Sequence, residues 1–341
     1  MKFIFLVILS CVAYSSFAQN TTRFSQFNFA QGVNNPSALA LDGDFMVDLI
    51  MRHQWLGVDG APATIALNGQ YALDNDNAVG FNYFYDKIGA QEFHSFNGQY
   101  AYRIRFSADR YLALGASIGI DNRVIIFTGN ELGDPNDPAF STAGAYSRVF
   151  FNAGVGLFYN SPNFYIGASI PKLFQNTRIG DESGFQPPRW HYYGTLGGYI
   201  PVGSKFTFNP HLQLKLTANA PISADLILRN TFVNRFSIVV GYRTEQSLIA
   251  GVDFLVSQNF RLGYSFNYDI GPLSKVKGMS NELYLGFAFP YNSDRYNFGK
   301  RRYISRKGGY KKDYNKTYHR KRSRRGRKYG RDTRYRGGKY R

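Results

Sequence analysis

The sequence holds one cysteine, Cys11, and it falls inside an N-terminal segment that reads as an export signal. With that segment removed no thiol remains, which excludes disulfides and thiolate catalysis. After residue 20 there is no apolar run of the roughly 20 residues that a membrane-spanning helix needs. Histidine is sparse: His53, His94, His191, His211 and His319 show no metal-ligand spacing. There is no convincing Ser/His/Asp arrangement, Walker loop or G-x-G-x-x-G. Asp134-Pro-Asn-Asp-Pro138 offers oxygens to calcium, but Asx-Pro turns in a long loop account for it better. These absences lead us to expect a non-enzymatic protein with no cofactor.

The signal consists of Lys2, an apolar core over residues 3–12 and the small residues of Ser16-Phe17-Ala18, with cleavage expected before Gln19. Lipoprotein processing at Cys11 fits less well, because Leu9 and Ser10 suit it poorly. Four parts are expected: a signal peptide over 1–18, a lead-in over 19–43, a barrel over 44–289 and a basic tail over 290–341. The lead-in, with the turn signal Asn34-Asn35-Pro36, is expected to dock at the periplasmic end of the barrel or in its lumen.

What the chain has in abundance is alternation. Aromatics make up 17% of residues and there are 35 glycines, a composition that suits strands, interfacial aromatic girdles and tight turns. Residues 44–73 read as two strands around a tight loop. Thr64, Ala66, Asn68 and Gln70 lie on one face, with Ile65, Leu67 and Tyr71 on the other. The clearest strand, 205–217, sets Phe206, Phe208, Leu212, Leu214 and Leu216 against Thr207, Asn209, His211, Gln213 and Lys215. Fourteen such strands run to Phe289, with no helix between them. A soluble sandwich or propeller would share this composition. Here, however, short turns follow every second strand and several of the alternate connections are long. That is the habit of an outer-membrane barrel with both termini periplasmic. The expected fold is therefore all-β: a transmembrane outer-membrane β-barrel of about 14 antiparallel strands, in contact with outer-membrane lipid, followed by a disordered basic tail. The last strand, Glu282 to Phe289, ends in the alternating aromatics of a barrel insertion signal.

The first loop carries the candidate partner-binding residues Arg52, Gln54, Trp55, Gly57, Asp59, Gly60 and Pro62. Gly57, Asp59-Gly60 and Pro62 are turn formers, and Trp55 is one of two tryptophans. Two roles stay open: Trp55 as an anchor for a partner with Arg52 and Asp59 paired across the loop, or a block that only braces the loop.

The tail accounts for the charge. The chain has 41 Lys+Arg against 23 Asp+Glu, and residues 300–341 hold 20 of the former with two acids, Asp313 and Asp332. Arg301, Arg302, Lys311, Lys312, Arg320, Lys321, Arg322, Arg324 and Arg325 are its candidate contacts, interleaved with tyrosine and glycine. A segment so poor in aliphatic residues cannot bury enough apolar surface to order itself alone. Such a composition would suggest RNA in a cytosolic protein. The export signal argues against nucleic acid and toward peptidoglycan or an acidic periplasmic protein.

Several blocks together resemble one family: RFSQF (23–27), NNPSALA (34–40), RHQWLGVDGAPAT (52–64), DKIG (86–89), AYRI (101–104), DPAF (137–140), YIGASIPKLF (165–174) and GPLSK (271–275). They are similar to the PorP/SprF family, outer-membrane proteins of the type IX secretion and gliding machinery of Bacteroidetes. The block over 52–64 is the most specific, since no generic barrel needs that residue order. The resemblance covers about 23–289. It implies a fourteen-stranded barrel that helps to secrete, or to retain at the cell surface, proteins with a C-terminal secretion domain, including gliding adhesins, together with other components of the machinery. The tail departs from the family's usual ending. The rival reading of a polar-walled barrel is a porin-like channel for small solutes.

Overall fold

The computed structural model describes residues 22–41, 45–107, 109–126, 145–174, 190–203, 205–218, 220–271, 274 and 279–289. One sheet contains all the strands. They are β1 (Phe45–His53), β2 (Ala63–Ala72), β3 (Asn77–Ile88), β4 (Gln91–Ser107), β5 (Arg110–Ile126), β6 (Ala145–Asn160), β7 (Phe164–Ile170), β8 (His191–Gly198), β9 (Ile200–Val202), β10 (Phe206–Thr217), β11 (Ser223–Phe232), β12 (Phe236–Arg243), β13 (Ser247–Leu255), β14 (Phe260–Asp269) and β15 (Ser280–Phe289). β8 and β9 are two pieces of one crossing, interrupted at Tyr199, and both pair with β10. The barrel therefore has fourteen crossings.

Each strand pairs antiparallel with its neighbours in sequence, and β1 pairs with β15 from Phe45↔Phe289 to His53↔Asn281. Closure leaves no sheet edge along the length of the barrel, which matters where lipid cannot satisfy a free backbone N–H or C=O. Phe45 and Phe289 define what we call the near end. Connections there are tight turns, as at 161–163 and 233–235, whereas the opposite, far end bears the longer ones. The turn at 73–76 shows how they are held: Asp74 accepts hydrogen bonds from the backbone N–H groups of Asp76 and Asn77, both at 2.7 Å. These bonds hold its carboxyl below the usual carboxylate range.

The alternation is realised as inside and outside. On β10, Asn209, His211, Gln213 and Lys215 are buried in the lumen while Leu216 is exposed. Ile118, Ile120, Val149, Phe151, Leu157, Ile166, Val252 and Phe254 are exposed on the outer face, where a soluble protein would bury such residues. β4, β5 and β6 run 17, 17 and 16 residues, well beyond the 9–11 that cross a bilayer. Their far ends continue past the neighbouring β7: the β6–β7 pairing stops at Val155↔Ile170, whereas β5 and β6 stay paired to Ile126↔Ala145.

Candidate functional site

The lumen is occupied by residues 22–41. A barrel of this size with a polar wall would otherwise hold water, and this segment fills the space with side chains matched to the wall. Four apolar contacts seat it. Phe24 packs with Ile50, Ala66 and Tyr284. Phe27 packs with Ile227, Val239 and Ile249. Ala38 lies against Tyr111, Ala113, Phe158 and Tyr165. Leu39 lies against Ala78 and Ala101. These wall residues sit on the lumenal face among polar neighbours: Ile227, for example, falls between Asp225 and Arg229. An aliphatic residue on the otherwise polar face of a strand was the signal in the sequence that the lumen holds protein rather than water.

Charge and hydrogen bonds complete the seat. Glu282, 1% exposed, accepts the backbone N–H groups of Ser25 at 2.9 Å and Gln26 at 2.7 Å, and faces Arg52 Nη1 at 3.3 Å. Arg52 and Glu282 are direct cross-strand neighbours. Arg23 reaches Asp225 at 3.1 Å and also Glu245, while Arg243 grips Asp225 with two nitrogens, each at 2.8 Å. Phe29 stacks on Tyr284 at 4.6 Å and lies under the guanidinium groups of Arg229 at 3.6 Å and Arg261 at 4.8 Å. Both arginines pair with Asp253. A buried charge left unpaired is costly, and here each carboxylate is shared between partners on separate elements.

The second half of the segment is tied by its backbone. A short 3₁₀ turn, Gln31–Val33, points carbonyls at the wall, where Gln99 donates to Gly32 O at 2.8 Å and Asn82 to Val33 O at 3.0 Å. Asn35 accepts from both the N–H and the hydroxyl of Ser37 and donates to Leu157 O at 3.1 Å. Arg103 donates to Leu39 O at 2.6 Å and Ala40 O at 2.9 Å. The chain passes so close to β5 that a Cβ at Gly115 would fall on the backbone of Ser37, so the wall there has room only for glycine.

At the far end, the first loop closes on itself: Gln54 N–H donates to Pro62 O at 2.9 Å and Val58 N–H to Trp55 O at 3.1 Å. Gly57 and Gly60 take φ values of 88° and 70° that suit glycine, and Trp55 takes 47°, a conformation that costs a bulky residue energy. Leu56 N–H donates to Met279 O at 3.0 Å, which ties the loop to the residue that leads into β15. Leu56 and Val58 are exposed, Trp55 and Gln54 are half-buried and Pro62 is buried. The expected Arg52–Asp59 pair is not made. Arg52 sits on a lumen-facing position of β1 and is taken by Glu282, while Asp59 is exposed at the tip. The first-loop residues thus divide: Arg52 belongs to the plugged lumen, Pro62 is buried at the loop's base, and the rest lie on the far-end surface. The candidate tail contacts between Arg301 and Arg325 lie outside the described residues, as do Asp134–Pro138. Among the described residues no group of three His, Cys, Asp or Glu is placed to hold a metal.

The profile of the family described as "Type IX secretion system membrane protein PorP/SprF" matches residues 16–287. No curated protein sequence matches the chain. Among solved structures, the CymD monoaromatic hydrocarbon channel superposes with a TM-score of 0.50 at 11% identity, covering 77% of this chain and 93% of that one. Omp33 of Acinetobacter baumannii gives 0.46 at 9% identity over 73% of this chain and 100% of its own. The toluene transporter TbuX of Ralstonia pickettii gives 0.45 at 11% identity over 75% and 92%. At such identities the likeness concerns the barrel fold alone. With the matched span taking in the lumenal segment and reaching into the last strand, this outer-membrane barrel belongs to the PorP/SprF family of type IX secretion system membrane proteins.

Proposed function

We propose that this barrel is a non-enzymatic holder of secreted cargo. In this reading the far end faces the outside of the cell. Its loops, with Trp55, Leu56 and Val58 foremost, hold the C-terminal domain of a secreted protein or gliding adhesin. The near end engages other components of the type IX machinery. The basic tail then emerges in the periplasm and docks to peptidoglycan or an acidic protein face. The observation that carries the reading is the lumen filled by residues 22–41 in a member of a secretion family: a barrel stoppered by its own chain is suited to holding rather than conducting. Deleting the gene should release a specific surface protein into the medium. Secretion and adhesion that stay at wild-type levels would defeat the proposal.

The rival is a porin-like channel, favoured by the polar lumenal wall. Planar-bilayer recordings separate the two, since a steady open conductance of the intact protein supports the channel and a silent barrel supports the holder.

A further inference from the structure

A cavity of about 130 Å³ lies in the far half of the lumen, walled by β3, β4, β5 and β8 with Pro171 and Lys172, and bounded by Thr22, Val33 and Pro36 of the lumenal segment. Three of its residues form a row across adjacent strands: Asp86 is paired with Phe93, and Phe93 with Arg123. Directly opposed residues lie about 5 Å apart at Cα, which sets Asp86 and Arg123 about 10 Å apart with the aromatic ring between them.

Among the described residues neither charged end of the row has an ion-pair partner of its own. Among the described residues Asp86 accepts from neutral groups alone, the hydroxyls of Thr64 at 2.5 Å and Thr22 at 3.2 Å. Arg123 makes no hydrogen bond or ion pair among the described residues, and its guanidinium carbon lies 6.0 Å from the centre of the Phe93 ring. The carboxylate nearest to it, Asp121, is taken by Lys172 at 2.8 Å and by the hydroxyl of Ser95 at 2.5 Å. Lys172 in turn lies 4.2 Å from the centre of the Phe93 ring, and Phe84 meets that ring edge-on at 6.2 Å. Among the described residues the cavity therefore offers a carboxylate with no cation paired to it, a guanidinium with no anion of its own, and apolar aromatic rings between them.

We propose that the Asp86–Phe93–Arg123 row binds a free short peptide as a zwitterion, with its ammonium at Asp86, its carboxylate on the Arg123 fork and its body over Phe93 and Phe84. A planar guanidinium matches a carboxylate through two parallel hydrogen bonds. An extended dipeptide spans about 7 Å, which fits between side chains that reach inward from Cα atoms about 10 Å apart. A ligand with one charge would leave the other end of the row unpaired, and a lone anion would also meet Asp86.

The test is calorimetric titration of the detergent-solubilised full-length barrel with glycyl-phenylalanine, with its C-terminal amide and with its N-acetyl derivative, at constant ionic strength. The free dipeptide should bind at least about tenfold more tightly than either blocked form, because each block removes one charge-assisted contact. Arg123→Gln should abolish the preference for acid over amide and keep that for amine over acetyl, and Asp86→Asn should do the reverse. Heat-modifiable migration confirms that each variant is folded. Equal affinity for the three ligands, or no binding of the free dipeptide below about 10 mM, would overturn the proposal without bearing on cargo retention.

Discussion

The lumenal segment and the first far-end loop both carry residues on which the family resemblance rests, yet they use them in opposite ways. In residues 22–41 polar groups along the whole segment are held by the wall: Ser25 and Gln26 through Glu282, Arg23 through Asp225, and Leu39 and Ala40 through Arg103. In residues 54–62 backbone bonds close the loop on itself and tie its base to neighbouring chain, while Leu56, Val58 and Asp59 face outward. An unusual residue order is thus explained by internal fit in the first case. In the second it is left over once the fold is accounted for, which is the expected mark of a surface held ready for something else.

The comparison breaks most readily at the stopper. Deleting residues 22–41 should turn a silent barrel into a conducting one in planar bilayers, the largest change expected of any variant. If the deletion stays silent, the segment is not what blocks the lumen. Glu282→Ala comes next. It leaves Arg52 buried without its partner and two N–H groups without an acceptor, at a cost of about 3–5 kcal/mol read as a lower unfolding midpoint in detergent. Glu282→Gln, which keeps an acceptor, should lose less. Gly115→Val pushes a side chain into the backbone of Ser37 and should cost about 1–3 kcal/mol by the same measurement. An unchanged midpoint would mean that the segment moves aside freely.

On the loop side, Trp55→Ala should leave heat-modifiable folding intact and weaken cargo retention by about 2 kcal/mol, the scale of an interface hot spot. Failure to fold would return Trp55 to a bracing role. The smallest effect on the barrel is expected from truncation after Tyr291, which keeps Phe287 and Phe289 of the last strand. The isolated 291–341 peptide should bind peptidoglycan or a periplasmic partner through contacts that fade as salt shortens the Debye length below about 8 Å. Arg and Tyr stacking would leave a residue of salt-resistant binding. Salt-insensitive association, or none, would make the tail a solvated appendage.

The strands were legible because a barrel wall is written locally. Facing follows from a period of two, so the alternation within Lys205–Thr217 is enough to assign its inner and outer residues, and turn length following strand parity supplied the topology. Strand ends were less legible: β4 and β5 run on to Ser107 and Ile126 because pairing with a neighbour continues outside the membrane, where alternation is no longer enforced. The candidate site was only partly legible. Turn chemistry announced the first loop, but the partner of Arg52 could not be read, since Glu282 is 230 residues away and becomes its neighbour only when β1 meets β15.

Composition and short-range periodicity suffice for the fold class, the two faces of each strand and the charge of the tail. The content of the lumen is settled at a different level, by closure of the sheet. Closure brings Arg52 of β1 to Glu282 of β15 and encloses the charged row of β11 to β14, and residues 22–41 enter because they satisfy groups that would otherwise be buried unpaired. Those contacts join residues some 200 positions apart, such as Arg23 with Asp225, and no local pattern encodes a partner at that range.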